Sequence, residues 1–177
     1  HNTRYAAALR STPHPTESDV RLFGRHDAHE APHPLRQIKL FSTLNRREMP
    51  VVQALRHERS YLAGEVVFDE GDEGEAIYAI VSGEVEILRH DGERQQRLAV
   101  LGAGEVFGEL ALLDQAPRAA QARATADCVL VVFFRADFMN LLETHPKIAS
   151  KIALSLARHL GSRLRQANAG QRQDGHL

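Results

Sequence analysis

The sequence predicts a mainly β fold with flanking helices. Its body is an antiparallel, jelly-roll-like β-roll carrying one internal helical turn, entered through short N-terminal helices and left through C-terminal hinge helices. Three observations carry this. Between about residues 62 and 134, apolar residues alternate or run in short bursts, and Gly64, Gly71, Gly74, Gly83, Gly92, Gly102 and Gly104 punctuate them. That is the rhythm of short strands joined by tight turns. On both sides of this region the apolar period becomes helical. Within it, "GELALL" interrupts the strand pattern with a helical turn.

Residues 1–35 hold five of the ten histidines and four of the seven prolines, and read as a linker or N-terminal extension. Short helices are expected over "TRYAAALR" and near "ESDVRLF". His26, His29 and His33 have spacings a metal could use, but Pro32 and Pro34 favour a solvated linker. From Leu35 to His57 the apolar residues recur at helical spacing, and Pro50 suits the first turn of the second of two short helices. Ser82-Gly83 and Asp91-Gly92 mark turns between strands. "CVLVVFF" reads as the buried strand that closes the roll. It contains Cys128, the one cysteine, which can form no internal disulfide and reads as a small core side chain.

Arg135 opens the helical end. "RADFMNLLETHP" gives one helix, and Pro146 marks its end or the start of the next. In "KIASKIALSLARHLGSRLRQ", Ile148, Ile152, Leu156, Leu160 and Leu164 stand four apart on one amphipathic face. Gly161 weakens that helix by about 1 kcal/mol relative to Ala. The expected limits are a domain over 36–166, with the roll at about 62–134 and the C-terminal helices at about 135–166. A polar tail follows at 167–177.

The overall charge is −1, but its halves differ. Residues 36–146 hold 12 Lys and Arg against 18 Asp and Glu, whereas residues 147–177 hold six basic residues and one acidic. An acidic body argues against nonspecific nucleic-acid binding, so an anionic ligand there needs a local positive group. The basic end reads as a solvated helix face. No segment reaches the length of a membrane span, and the start lacks the signal-peptide pattern, so a cytoplasmic setting is expected. The first residue is not Met, and an upstream domain is expected, one that could tether the chain to a membrane protein.

Chemistry concentrates in "FGELALLDQAPRAAQARA", residues 107–124. Gly108 allows a close backbone approach, and the helical turn behind it presents N–H groups to an anion. Arg118, fixed by Pro117, can grip two oxygens of a phosphate or carboxylate. Glu109 offers only acceptors, suited to hydroxyls. Ala119 and Ala120 let their backbone come close to a ligand. Spacing alone leaves two readings open: a buried Glu109–Arg118 ion pair, or a clamp for a ribose phosphate.

"FGELALL…PRAA" resembles the phosphate-binding cassette of cyclic nucleotide-binding domains, found in catabolite activators, cyclic AMP-dependent kinase regulatory subunits and cyclic nucleotide-gated channels. "LFSTLNRREMPVVQALRHERSYLAGEVVFDEGDEGEAIYAIVSGEVEIL" is similar to that family's N-terminal helix and first strands, and "RADFMNLLETHPKIASKIALSLARHL" to its hinge helices. The resemblance implies that Glu109 accepts the ribose 2′-hydroxyl and that Arg118 binds the cyclic phosphate. Gly108, Leu110, Ala111, Ala119 and Ala120 would complete the pocket, and Gly71 and Gly83 would be turn glycines. Relatives that prefer cyclic GMP often carry Thr where Ala119 stands, so cyclic AMP is favoured over cyclic GMP. A residue of the last helix can cap the base in this family, which points to His159 with Arg158 and Arg163 as neighbours. Gln121 departs from the usual Thr or Ser and is expected to face solvent.

The implied function is a regulatory sensor that relays occupancy through its C-terminal helices, with no cofactor and no catalysis. Alternatives are a nucleotide-free roll serving as an interaction domain and a truncated catabolite-activator-type transcription factor. A helix-turn-helix would have to follow the last helix, so no direct DNA binding by this chain is expected. The stripe on that helix makes a homodimer plausible. The cupin-like metalloenzyme pattern of two histidines and a glutamate is absent from the roll, where only His57 and His90 occur.

Overall fold

The computed structural model describes residues 34–92, 94–114 and 116–173. The expected linker, its two short helices and the His26, His29 and His33 cluster lie outside the described residues. Among the described residues, eight strands form two antiparallel four-stranded sheets. The first joins β1 (His57–Tyr61), β8 (Cys128–Phe134), β3 (Ala76–Ser82) and β6 (Val106–Phe107), in that order. The second joins β2 (Val66–Phe68), β7 (Gln121–Ala124), β4 (Val85–Asp91) and β5 (Arg94–Leu101).

Period-two alternation explains why the closing strand is apolar throughout. Leu130 of β8 packs with Ile80, Phe107, Val85 and Ala122 in a core shared by the two sheets. Val131 and Phe133 pack instead with Ile77, Ala79 and the helices. The first sheet is therefore covered on both faces, by the other sheet and by a helical layer. The roll begins at His57, earlier than the expected residue 62, because "HERSY" is an exposed edge strand with no apolar alternation to announce it.

The helical layer comes from both ends of the domain. At its start are α1 (Pro34–Gln37), a 3-10 turn (Lys39–Phe41) and α2 (Met49–Ala54), with Pro50 in the first turn of α2 as expected. Asn45 Oδ1 accepts the Glu48 N–H at 3.0 Å while Glu48 Oε2 accepts the Asn45 N–H at 2.9 Å, a reciprocal box that organises the entry to α2. At the other end are α3 (Arg135–Thr144) and α4 (Pro146–Gln173), so Pro146 starts the last helix. Helical backbone continues to Gln173, past the expected end at 166.

The stripe on α4 is used largely inside the chain. Ile148, Ile152 and Leu156 are buried and Leu160 packs against the same core, leaving Leu164 exposed. Lys151 Nζ on α4 reaches both oxygens of Glu48 at 2.8 Å, tying the last helix to the start of α2. This positions the distal half of α4 beside the segment between β6 and β7.

Candidate functional site

β6 ends at Phe107, and the chain turns at Gly108 with φ +71°. A Cβ at Gly108 would stand 2.6 Å from an Arg118 guanidinium nitrogen, so glycine is required both by the left-handed backbone and by the packing. A 3-10 turn follows over Glu109–Leu112. With four residues it is too short for a helix dipole of any weight, so attraction for an anion rests on individual N–H groups and on Arg118.

The chain returns through Pro117 and locks onto the loop after β2. The Arg118 N–H donates to the Asp72 carbonyl and the Gly71 N–H to the Arg118 carbonyl, both at 2.8 Å. The side chain is held as firmly. Its terminal nitrogens donate to Ala76 O at 2.8 Å and Gly108 O at 3.1 Å, and its guanidinium lies 4.2 Å from the centre of the Phe68 ring. Tyr78 is a further hydrogen-bond partner. Burial pushes the Arg118 pKa down from its ordinary value, opposed by Tyr78, Asp72 and Glu109. An arginine remains charged through such a shift. Its Nε is buried without a hydrogen-bond partner.

Glu109 is buried as well, at 4% exposure, and it does not pair with Arg118. Its Oε1 accepts from Arg163 on α4 at 2.8 Å, with His159 Nε2 at 3.9 Å. The two ends of the segment are thus separately held, and the ion-pair reading of their spacing fails.

All the expected pocket residues, Gly108 through Ala111 and Arg118 through Ala120, line one cleft of about 210 Å³. Arg163 lines it too. His159 stands beside Glu109 but lines a second cleft, and Arg158 also lines that second cleft rather than this one. Burial lowers the His159 pKa, with Arg163 adding to the effect. Gln121 does not face solvent: it is buried, donating to Asp69 Oδ1 and accepting from Gln95 Nε2.

Sequence reasoning missed Phe68 and Ile87, which form apolar wall, and Phe107, which stacks on Tyr78 at 5.2 Å. The strands of Phe68 and Ile87 are distant in sequence from the cassette, and only the pairing of β2 and β4 with β7 brings them to it. Cys128 is buried, its single S–H within reach of Glu84 O and Ala126 O, and burial raises its pKa. Among the described residues no group of three or more His, Cys, Asp or Glu could hold a metal, and no helix is long and apolar enough to cross a membrane.

The family model of the cyclic nucleotide-binding domain matches residues 58–145. A cyclic AMP receptor protein of Thermus thermophilus is 39% identical over 122 residues, 68% of this chain and 56% of that protein. A cAMP-dependent protein kinase regulatory subunit of Colletotrichum orbiculare is 34% identical over 108 residues, 61% of this chain and 27% of that protein. The crystal structure of the N-terminal domain of a transcriptional regulator from Streptomyces coelicolor A3(2) is 31% identical with a TM-score of 0.66, over 78% of this chain and 95% of that one. The chain therefore spans only part of the curated proteins it matches. Two facing sheets, a cassette that buries an acid and an arginine at separate points, and these matches agree: the chain belongs to the cyclic nucleotide-binding domain family.

Proposed function

We propose that this domain is a sensor for cyclic AMP, which docks between Arg118 and Glu109 and changes the seating of α4. The observation that carries the reading is the buried Arg118, whose Nε has no partner although both terminal nitrogens donate to backbone carbonyls. A cyclic phosphate supplies the acceptor that this donor lacks, in a site shielded from water where a charge-assisted bond is strong. Glu109, with acceptors only, takes the ribose 2′-hydroxyl. Ala119 offers no hydroxyl to a guanine, which favours cyclic AMP over cyclic GMP.

The cleft is smaller than the roughly 300 Å³ at which small-molecule sites begin. Arg163 lines it while holding Glu109, so the nucleotide enters as Arg163 shifts and α4 moves with it. The ligand can bias that movement only by its differential affinity for the two positions of α4. His159 and Arg163 are then the groups from which a cover for the base would be drawn.

The test is a calorimetric titration with cyclic AMP, cyclic GMP and 2′-deoxy cyclic AMP. Expected is tightest binding of cyclic AMP, a loss of about a hundredfold in Arg118→Lys, and no discrimination against the 2′-deoxy ligand in Glu109→Ala, which removes the acceptor. Absence of heat or thermal shift with every nucleotide at millimolar concentration would overturn the reading. That outcome favours the second reading, a nucleotide-free interaction roll, which the seating of Arg163 on Glu109 also fits.

A further inference from the structure

Arg158 was expected near the nucleotide, yet it lines a separate cleft between the 3-10 turn Lys39–Phe41 and α4. We propose that this cleft is a second ligand site, for the phosphate group of a small phosphorylated molecule, because Lys39, Arg158 and His159 meet there with spare hydroxyls and no carboxylate in its lining. The inference does not rest on the cyclic nucleotide reading. Among the described residues no carboxylate lines this cleft, so its lysine and arginine meet no counter-charge within it.

The chemistry of the lining fits a phosphate group. Lys39 comes from the 3-10 turn and Arg158 from α4, so charge reaches the cleft from two opposite walls. A lysine supplies a compact ammonium and an arginine a planar fork, complementary ways to hold phosphoryl oxygens. Thr43 and Ser155, one on each wall, have their hydroxyl oxygens 3.4 Å apart, so one of the two O–H groups remains free to donate to a ligand. Ser162, one helical turn beyond Arg158, adds a third hydroxyl.

The nearby carboxylates are already committed elsewhere. Glu109 holds Arg163 at 2.8 Å, and Glu105 accepts the Gly102 N–H at 2.8 Å. Neither lines the cleft, so neither neutralises Lys39 or Arg158 within it. The volume, about 290 Å³, lies at the lower edge of the range for small-molecule sites, enough for a phosphate carrying a short polar body.

The experiment is a backbone and side-chain NMR titration at constant ionic strength, with inorganic phosphate in one arm, glycerol 3-phosphate in the second and chloride as the control. Lys39 and Arg158 are exposed, so their alanine variants should fold as the parent does. Expected are saturable shifts at Lys39, Ser155, Arg158 and Ser162, weakened about tenfold in Lys39→Ala and again in Arg158→Ala, and unchanged in Arg118→Lys. Tighter binding of glycerol 3-phosphate identifies a phosphomonoester as ligand, and equal binding identifies free phosphate. No saturable shift at these residues overturns the proposal. So do shifts that survive both alanine substitutions, or shifts that vanish in Arg118→Lys, which would place the anion in the first cleft.

Discussion

Gly108→Ala separates two costs that usually arrive together, backbone strain and displacement of a functional side chain. Gly64 is the control, because its φ of +89° imposes the same kind of strain while nothing lies within 4 Å of an added Cβ. Alanine in the left-handed region costs about 1–2 kcal/mol at either position. For a domain of this size that lowers Tm by about 2–4 °C per kcal/mol. At Gly108 the new methyl also meets an Arg118 terminal nitrogen at 2.6 Å, and the guanidinium has to retreat. Its bond to the Gly108 carbonyl is already 3.1 Å long and does not survive a retreat. The bond to Ala76 O and the contact with Phe68 hold the same planar group, so both are strained by the same movement. A hydrogen bond involving a charged group is worth about 1.5–3 kcal/mol, and misplacing the donor for the phosphate costs about tenfold to a hundredfold in affinity. Thermal melts and cyclic AMP titrations on both variants make the test. Gly64→Ala should lose stability and keep its affinity, while Gly108→Ala should lose both. Equal affinity loss in the two variants, or parental affinity in Gly108→Ala, would refute the claim that Gly108 exists to seat Arg118.

Gln121→Thr should lower stability by about 1–2 kcal/mol, read from the urea midpoint, because the shorter side chain loses Asp69 and Gln95. Its cyclic AMP affinity should stay within about twofold; a loss as large as that of Arg118→Lys would mean that Gln121 serves the cleft after all. His159 should give stability a pH dependence. Burial first, then Arg163 and Lys39, lower its folded pKa, against Glu109 and Glu105, so the folded state binds fewer protons than the unfolded one. Stability therefore rises with pH between the lowered pKa and about 6.5, and its contribution is lost as pH falls through that window. In His159→Gln that slope should flatten, and an unchanged slope would contradict it.

The fold was legible wherever burial imposed a period on the sequence. β8 announced itself because both of its faces are covered, and α4 because one face packs on the roll. β1 was invisible for the opposite reason, since an exposed edge strand needs no apolar pattern. The end of α4 at Gln173 was missed because the apolar stripe that marks the helix ends at Leu164, which is already exposed. At the site, adjacent residues were legible and converging ones were not. Gly108 through Ala111 and Arg118 through Ala120 are contiguous in the chain, but Phe68 and Ile87 arrive through strand pairing. The position of Arg158 was misjudged for a related reason. One residue along a helix turns a side chain by about 100°, enough to change which cleft it lines, and the sequence does not say how α4 is rotated about its axis.

Glu109 shows how much turns on that rotation. Its spacing from Arg118 left an ion pair open, and the structure answers with a different arginine, 54 residues away on α4. Had Glu109 paired with Arg118, both charges would lie within one short segment, and whatever bound there would have had no hold on the last helix. With Arg163 as partner, the carboxylate that a ribose hydroxyl would reach is the same one that anchors α4. Any donor that competes for Glu109 therefore acts on the seating of the helix, and whatever moves the helix acts equally on the affinity for that donor. Lys151 and the buried stripe hold the first half of α4 to the core, so the movement proposed for the bound state would be confined to the part beyond Leu160, where Leu164 is already exposed. A sensor needs a part that stays and a part that moves, and on α4 the boundary between them falls close to the residues that face Glu109.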